Sequence, residues 1–154
     1  MKKVVIDNHE IYLSEEVLRM FKMYQQDTSK KHEAGGILIG QIVNQNLEIQ
    51  KITVPNKFDK SSRRLFKRNK DAAQIIINYE FYNSAGTLIY LGEWHTHPEN
   101  VPKPSTRDII MIKEQHQNNI LNSDRILLII VGLKELFVGI YNGEKLKSTH
   151  IPFY

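Results

Sequence analysis

A stretch that reads as a strand ending on His-x-His-Pro, followed by a short stiff loop and a helix opening on Ser-x-x-Asp, constrains this chain more than any other feature. Glu93-Trp94-His95-Thr96-His97-Pro98 is followed by six residues that include Pro102 and Pro104, and then by Ser105-Thr106-Arg107-Asp108. Side chains two apart on a strand point the same way, so His95 and His97 present both imidazoles to one side. Pro98 has no N–H to give the ladder and ends the strand directly after the second histidine. Ser105 begins the next helix and places Asp108 in its first turn. Two histidines and an acid make a catalytic zinc set, because three protein ligands leave the fourth tetrahedral position to water. Zinc lowers the pKa of such a water to about 7. A lone His-x-His can be an ordinary strand pair, and a lone Ser-x-x-Asp is merely a helix start. Joined by a rigid spacer of this length, the two favour one zinc ion per chain.

The absence of cysteine sharpens this reading. It excludes disulfides, thiolate zinc sites, iron–sulfur clusters and cysteine nucleophiles, leaving His, Asp and Glu to hold any metal. At 154 residues and 41% hydrophobic content, residues 1–154 are expected to form one globular domain. After Lys3, the run Val4-Val5-Ile6 stops at Asp7-Asn8-His9-Glu10, so no secretory leader is expected. No apolar stretch approaches the ~20 residues that span a bilayer, so a cytoplasmic protein is expected. The formal charge of +4 is concentrated in Lys57 to Lys70, where seven basic residues face one acid, Asp59. This segment reads either as a docking surface for an acidic partner or nucleic acid, or as a solvated loop and strand edge.

Hydrophobic periodicity predicts a mixed α/β chain of the α+β type, with a mostly antiparallel sheet flanked by about three helices. Val4 to Leu13 reads as a hairpin broken at Asp7-Asn8. Ser14 caps a helix reaching about Gln26, with Val17, Leu18, Phe21 and Tyr24 on its buried face. Ala34 to Val43 and Leu47 to Val54 form a second hairpin around Asn44-Gln45-Asn46, and a further strand covers Arg64 to Lys67. Asp71 to Asn83 is a helix with Ala72, Ile75, Ile76, Tyr79 and Tyr82 on one stripe, stopped by Gly86. Leu88 to His97 is a strand and Ser105 to about Asn119 a helix. Strands at Arg125 to Val131, Glu135 to Tyr141 and Leu146 to Ile151 close the chain. By alternation, Trp94 points away from the two histidines into the core.

The spacing His95-x-His97-Pro98, six residues, Ser105-x-x-Asp108 resembles the JAMM motif of the JAB/MPN (Mov34/MPN/PAD-1) zinc metalloproteases. Members of that family also carry a glutamate just before a glycine-rich strand, and Glu33-Ala34-Gly35-Gly36-Ile37-Leu38-Ile39-Gly40 matches it in order and context. The resemblance covers about Lys31 to Asn119 and implies a curved, cytidine-deaminase-like sheet. It implies that His95, His97 and Asp108 bind zinc. It also implies that Glu33 takes a proton from the zinc water and passes it to the leaving amine, and that Ser105 donates to the oxyanion. Amide hydrolysis needs both a deprotonated nucleophile and a protonated leaving nitrogen, and one carboxylate can serve both ends. Glu93 shares the face of the histidines, where it either orients a ligand imidazole or makes a structural ion pair. Among the remaining histidines only His32, beside Glu33, adjoins the motif.

Short single-domain forms of this family resemble the JAB proteins of prokaryotic ubiquitin-like conjugation and anti-phage signalling operons. The resemblance thus implies an isopeptidase, active in antiviral defence, that cuts after the C-terminal glycine of a ubiquitin-like protein or releases a target conjugated by E1- and E2-like enzymes. Such a tail can bind by adding a strand to a sheet edge. The alternatives are a zinc amidohydrolase of another peptide or small amide, a non-catalytic MPN-type scaffold, and a nucleic-acid module built on the basic segment. The last of these predicts salt-dependent DNA binding indifferent to chelator. Neither nucleic acid nor a membrane is the expected partner.

Overall fold

The computed structural model of the chain describes residues 1–118, 121 and 123–153. The elements run β1 (Lys2–Ile6), β2 (His9–Leu13), α1 (Glu15–Met23), β3 (Gly35–Val43), β4 (Asn46–Ile52), β5 (Lys60–Ser62), β6 (Leu65–Lys67), α2 (Lys70–Asn83), β7 (Ile89–Thr96), α3 (Thr106–Asn118), β8 (Ile126–Val131), β9 (Glu135–Tyr141) and β10 (Leu146–Pro152). Eight strands form one sheet in the order β1-β2-β4-β3-β7-β8-β9-β10, and β5 with β6 makes a separate hairpin. Pairing in the large sheet is antiparallel except for β2 with β4 and β7 with β8. The sheet curves enough to bring its outer strands together, with Lys147 Nζ 2.5 Å from Asp7 Oδ2 and Lys2 donating to the Pro152 carbonyl.

Helices cover both faces. Val17 and Phe21 of α1 pack with Leu38, Leu91, Trp94, Leu127 and Ile129 on one side. On the other, Ile112 of α3 meets Leu128 and Ile130, and Ala73 of α2 meets Ile37 and Ile39. Ser14 caps α1 as its sequence predicts, its hydroxyl accepting from Val17 N at 3.2 Å. The expected end near Gln26 is too long. The helix stops at Met23, and Gln26 turns inward to a buried polar position. Trp94 is buried as expected, with its ring centroid 5.1 Å from that of Phe21.

Two expectations fail on tertiary grounds. Helix α2 is rotated from the predicted stripe: Ile76 of that stripe faces the sheet together with Ala73 and Ile77, while Ile75, Tyr79 and Tyr82 are 68%, 64% and 78% exposed. Apolar residues lie almost all round this helix, so periodicity alone does not choose a face. The sequence also shows only one strand near residue 65, whereas Lys60–Ser62 pairs with Leu65–Lys67 as a hairpin. Three serine and lysine residues carry no strand pattern of their own. The expected end of α3 at Asn119 lies outside the described residues.

A bulge sets the orientation of β7. Leu38 pairs with Gly92 and Ile39 with Tyr90, which leaves Leu91 as the extra residue. Leu91 therefore joins Trp94 on the α1 side, while Tyr90, Glu93 and His95 face the other way. Gly92 has φ +151° and a Cβ there would lie 2.0 Å from the Leu127 carbonyl oxygen. Gly92→Ala is expected to cost about 3 kcal/mol or more of folding stability, through strain and overpacking together, read from urea unfolding.

Candidate metal centre

The end of β7 and the start of α3 meet as the spacer requires. His97 stands one residue past the strand, held by its N–H to the Val131 carbonyl at 3.0 Å. The proline loop that follows is braced on two sides: Leu133 N donates to the Glu99 carbonyl at 2.8 Å, and His150 Nε2 to that of Pro102 at 2.7 Å. Ser105 then caps α3 reciprocally. Asp108 N donates to Ser105 Oγ at 3.1 Å, and Ser105 N donates to Asp108 Oδ2 at 2.8 Å. This exchange holds the Asp108 carboxylate toward the strand rather than toward water.

His95 Nε2 lies 3.2 Å from Asp108 Oδ1, and His97 Nε2 lies 3.2 Å from Asp108 Oδ2. One donor atom from each of Glu33, His95, His97 and Asp108 falls within 4.8 Å of the others. His95 Nε2 is buried and makes no hydrogen bond, a costly state for a polar atom unless a ligand satisfies it. Two atoms each bonded to a tetrahedral zinc at about 2.0–2.1 Å stand about 3.3–3.4 Å apart. The donor set and its spacing therefore fit a divalent ion such as zinc. His97 Nδ1 is occupied by Glu99 Oε1 at 2.9 Å, which leaves Nε2 to face the cluster. Burial opposes ionisation of Asp108, but the facing imidazoles of His95 and His97 hold its carboxyl well below the usual carboxylate range. Burial also disfavours charge on His97, yet its contact with Asp108 raises its pKa.

Glu33 reaches the cluster from two residues before β3. Gly35 pairs with His95 across the antiparallel ladder, so the segment just upstream lies beside the histidines. Ala34 and Thr96 lock it there: Thr96 N donates to the Ala34 carbonyl and Ala34 N to Thr96 Oγ1, both at 2.9 Å. Thr96 Oγ1 donates in turn to the buried Gln26 Oε1 at 2.8 Å, and Gln26 Nε2 reaches the Arg63 carbonyl at 2.9 Å. Glu33 N donates to the Ser62 carbonyl at 2.8 Å, which makes the β5–β6 hairpin one wall of the site. Burial pushes the Glu33 carboxyl above its ordinary pKa, against the opposing pull of His95 and His97.

The fold thus assembles Glu33, His95, His97 and Asp108, with Ser105 at the cap. Glu93 resolves to the second of its two readings. It pairs with Arg68, with Nε to Oε1 at 2.8 Å, and accepts from Tyr90 Oη, so this ion pair and not a ligand imidazole occupies its carboxylate. His32 bonds Ser61 Oγ at 3.1 Å at the surface, outside the cluster. Glu99, Gln26 and Thr96 support the cluster without belonging to its motif. Only Glu99 carried a local signal, being an acid two residues beyond a candidate ligand. Gln26 and Thr96 lie 70 positions apart and meet only through the fold.

Residues 16–141 match a family model described as prokaryotic homologs of the JAB domain. A CD-NTase/cGAS isopeptidase of Escherichia coli (strain TW11681) is 37% identical over 86% of this chain and 82% of its own length. Its namesake in Pseudomonas aeruginosa is 33% identical over 92% and 89%, and that in Vibrio cholerae is 38% identical over 75% and 72%. A solution structure of a Desulfitobacterium hafniense protein superposes with a TM-score of 0.65 at 16% identity, covering 90% of this chain and 89% of that one, a likeness of fold. The match over most of the length, together with these relatives, identifies the chain as a member of the family of prokaryotic homologs of the JAB domain.

Proposed function

We propose that this protein is a zinc-dependent isopeptidase that releases a CD-NTase, or a ubiquitin-like protein, from an amide bond formed at its C-terminal residue. The observation that carries the reading is the convergence of Glu33, His95, His97 and Asp108 around the unsatisfied His95 Nε2. The names of the relatives supply the substrate class. Residues 1–154 act as one unit in this reading. Its setting is cytoplasmic, beside E1- and E2-like conjugating enzymes in anti-phage signalling.

His95, His97 and Asp108 hold the ion. Zinc bound there supplies Lewis acidity toward a water and the scissile carbonyl. Glu33 takes the proton of the attacking water and passes it to the leaving amine. Its buried carboxyl, raised above the ordinary glutamate value, is a stronger base than an exposed glutamate. Ser105 Oγ accepts from Asp108 N and keeps its own hydrogen to donate to the oxyanion. Glu99 holds His97 in the tautomer that presents Nε2.

Glu33→Gln is expected to retain stoichiometric zinc by elemental analysis while hydrolysis of a CD-NTase fusion falls about 10²–10⁴-fold. An equal rate in the variant removes Glu33 from the chemistry, and cleavage of unrelated peptides alone turns the reading to a general zinc amidohydrolase. A chelator is expected to abolish hydrolysis and added zinc to restore it, whereas a scaffold shows no activity in either state. Glu99→Gln is expected to weaken zinc binding about 10–100-fold in competition with a chromogenic chelator, with the fold retained by circular dichroism.

A further inference from the structure

The β5–β6 hairpin carries a charge arrangement that the isolated chain does not balance. Lys60 and Lys67 are direct cross-strand partners, and like charges opposite one another destabilise a ladder. Phe66 packs toward Gly35, so by alternation Lys60 and Lys67 share the face turned away from the body of the protein. Arg64 lies in the connecting turn, Lys57 precedes β5, and Lys70 opens α2, where the helix dipole favours acids. All five are exposed, and none pairs with an acid among the described residues.

Two of the acids nearest to them, Asp59 and Glu93, are engaged elsewhere. Asp59 spends its two oxygens on the backbone N–H groups of Asn69 and Asn56, at 2.7 and 2.8 Å. Glu93 is committed to Arg68. Just before the hairpin Phe58 stands 61% exposed, with Lys57 Nζ 5.2 Å from its ring centroid. In the same hairpin the Ser62 carbonyl accepts from Glu33 N and Phe66 packs on Gly35, so the element that bears the charge on its outer face forms a wall of the candidate metal centre with its inner one.

We propose that the exposed face of this hairpin, with Phe58 as its apolar anchor, is a docking surface for an acidic patch on the folded body of the protein substrate. This proposal rests on the isopeptidase reading for the identity of the partner. A folded protein attached through an extended tail must lie against the rim of the site once its scissile bond enters. The rim here is cationic, so it steers an acidic partner and holds it by contacts remote from the bond that breaks. A protein with an apolar recess between acids satisfies both the cations and the exposed ring. Nucleic acid offers the charge but has no amide bond to deliver to the adjoining centre.

The test is the double variant Lys60→Glu with Arg64→Glu, which leaves Lys67 facing an acid across the ladder and so does not lower the unfolding midpoint. Hydrolysis is compared on a CD-NTase fused through its C-terminal residue to a following protein, and on a short peptide spanning the same junction. The expected result is a KM for the fusion raised about tenfold or more, with a flattened salt dependence and unchanged kcat, peptide hydrolysis and zinc content. Binding of a fluorescein-labelled polyglutamate, measured by anisotropy, is expected to weaken in parallel. An unchanged fusion KM or polyglutamate affinity overturns the proposal. So does tighter binding of single-stranded DNA than of polyglutamate, lost in the variant while fusion cleavage is retained. If neither fusion nor peptide is cut by the zinc-loaded wild type, the hydrolase reading falls, and the polyglutamate measurement decides the surface by itself.

Discussion

The antiparallel register of β3 on β7, with Gly35 opposite His95, is the constraint on which the rest of the structure depends. It sets a residue upstream of one strand beside residues near the end of the other, and so brings Glu33 to the histidines. The register leaves little room for error. A Cβ on Gly35 would lie 2.6 Å from the Trp94 carbonyl oxygen and 2.5 Å from the Phe66 ring, so only glycine lets the hairpin close over β3 at this point. The bulge at Leu91 then determines which face of β7 carries His95. Without that extra residue, alternation would place Leu91 with His95 and Glu93 rather than with Trp94.

Around this frame the buried polar groups are matched one by one. Gln26, Thr96 and Ala34 satisfy each other in a chain that runs from the end of α1 to the segment carrying Glu33. Arg68, Glu93 and Tyr90 form a second group, which fastens the residue after β6 to β7. Burial opposes the charge on Arg68, but the paired Glu93 raises its pKa, and burial pushes the Tyr90 hydroxyl well above its ordinary value. Such a pair is costly to break because removing one partner strands the other charge. Against this background His95 Nε2, buried without a hydrogen bond and facing Asp108 Oδ1 at 3.2 Å, is placed to take a ligand that the chain itself does not supply.

The two small strands β5 and β6 link these groups. Their inner face supplies a carbonyl to Glu33 N and a ring to Gly35, and the Arg63 carbonyl at their turn receives Gln26. Their outer face holds lysines directly opposed. One element thus fixes the position of an acid at the candidate metal centre and carries positive charge on its outer face. Like charges directly opposed across a ladder cost stability, and a docking surface for an acidic partner, as proposed above, gives that cost a use.

Much of the site was legible in the sequence because its parts are local. Strand alternation pairs His95 with His97, Pro98 ends the strand, and Ser105 with Asp108 forms a cap within one helical turn. Each relation spans at most a few residues, and backbone geometry alone enforces it. The α1 cap, the hairpins and the burial of Trp94 were readable for the same reason. Tertiary packing decided the rest: which side of α2 faces the sheet, the pairing of Lys60–Ser62, the joining of Gln26 to Thr96, and the commitment of Glu93 to Arg68 rather than to a histidine. A short polar segment or an all-round apolar helix has several local solutions of similar energy. Contacts between residues distant in the chain select one of them, and no window of sequence contains both partners.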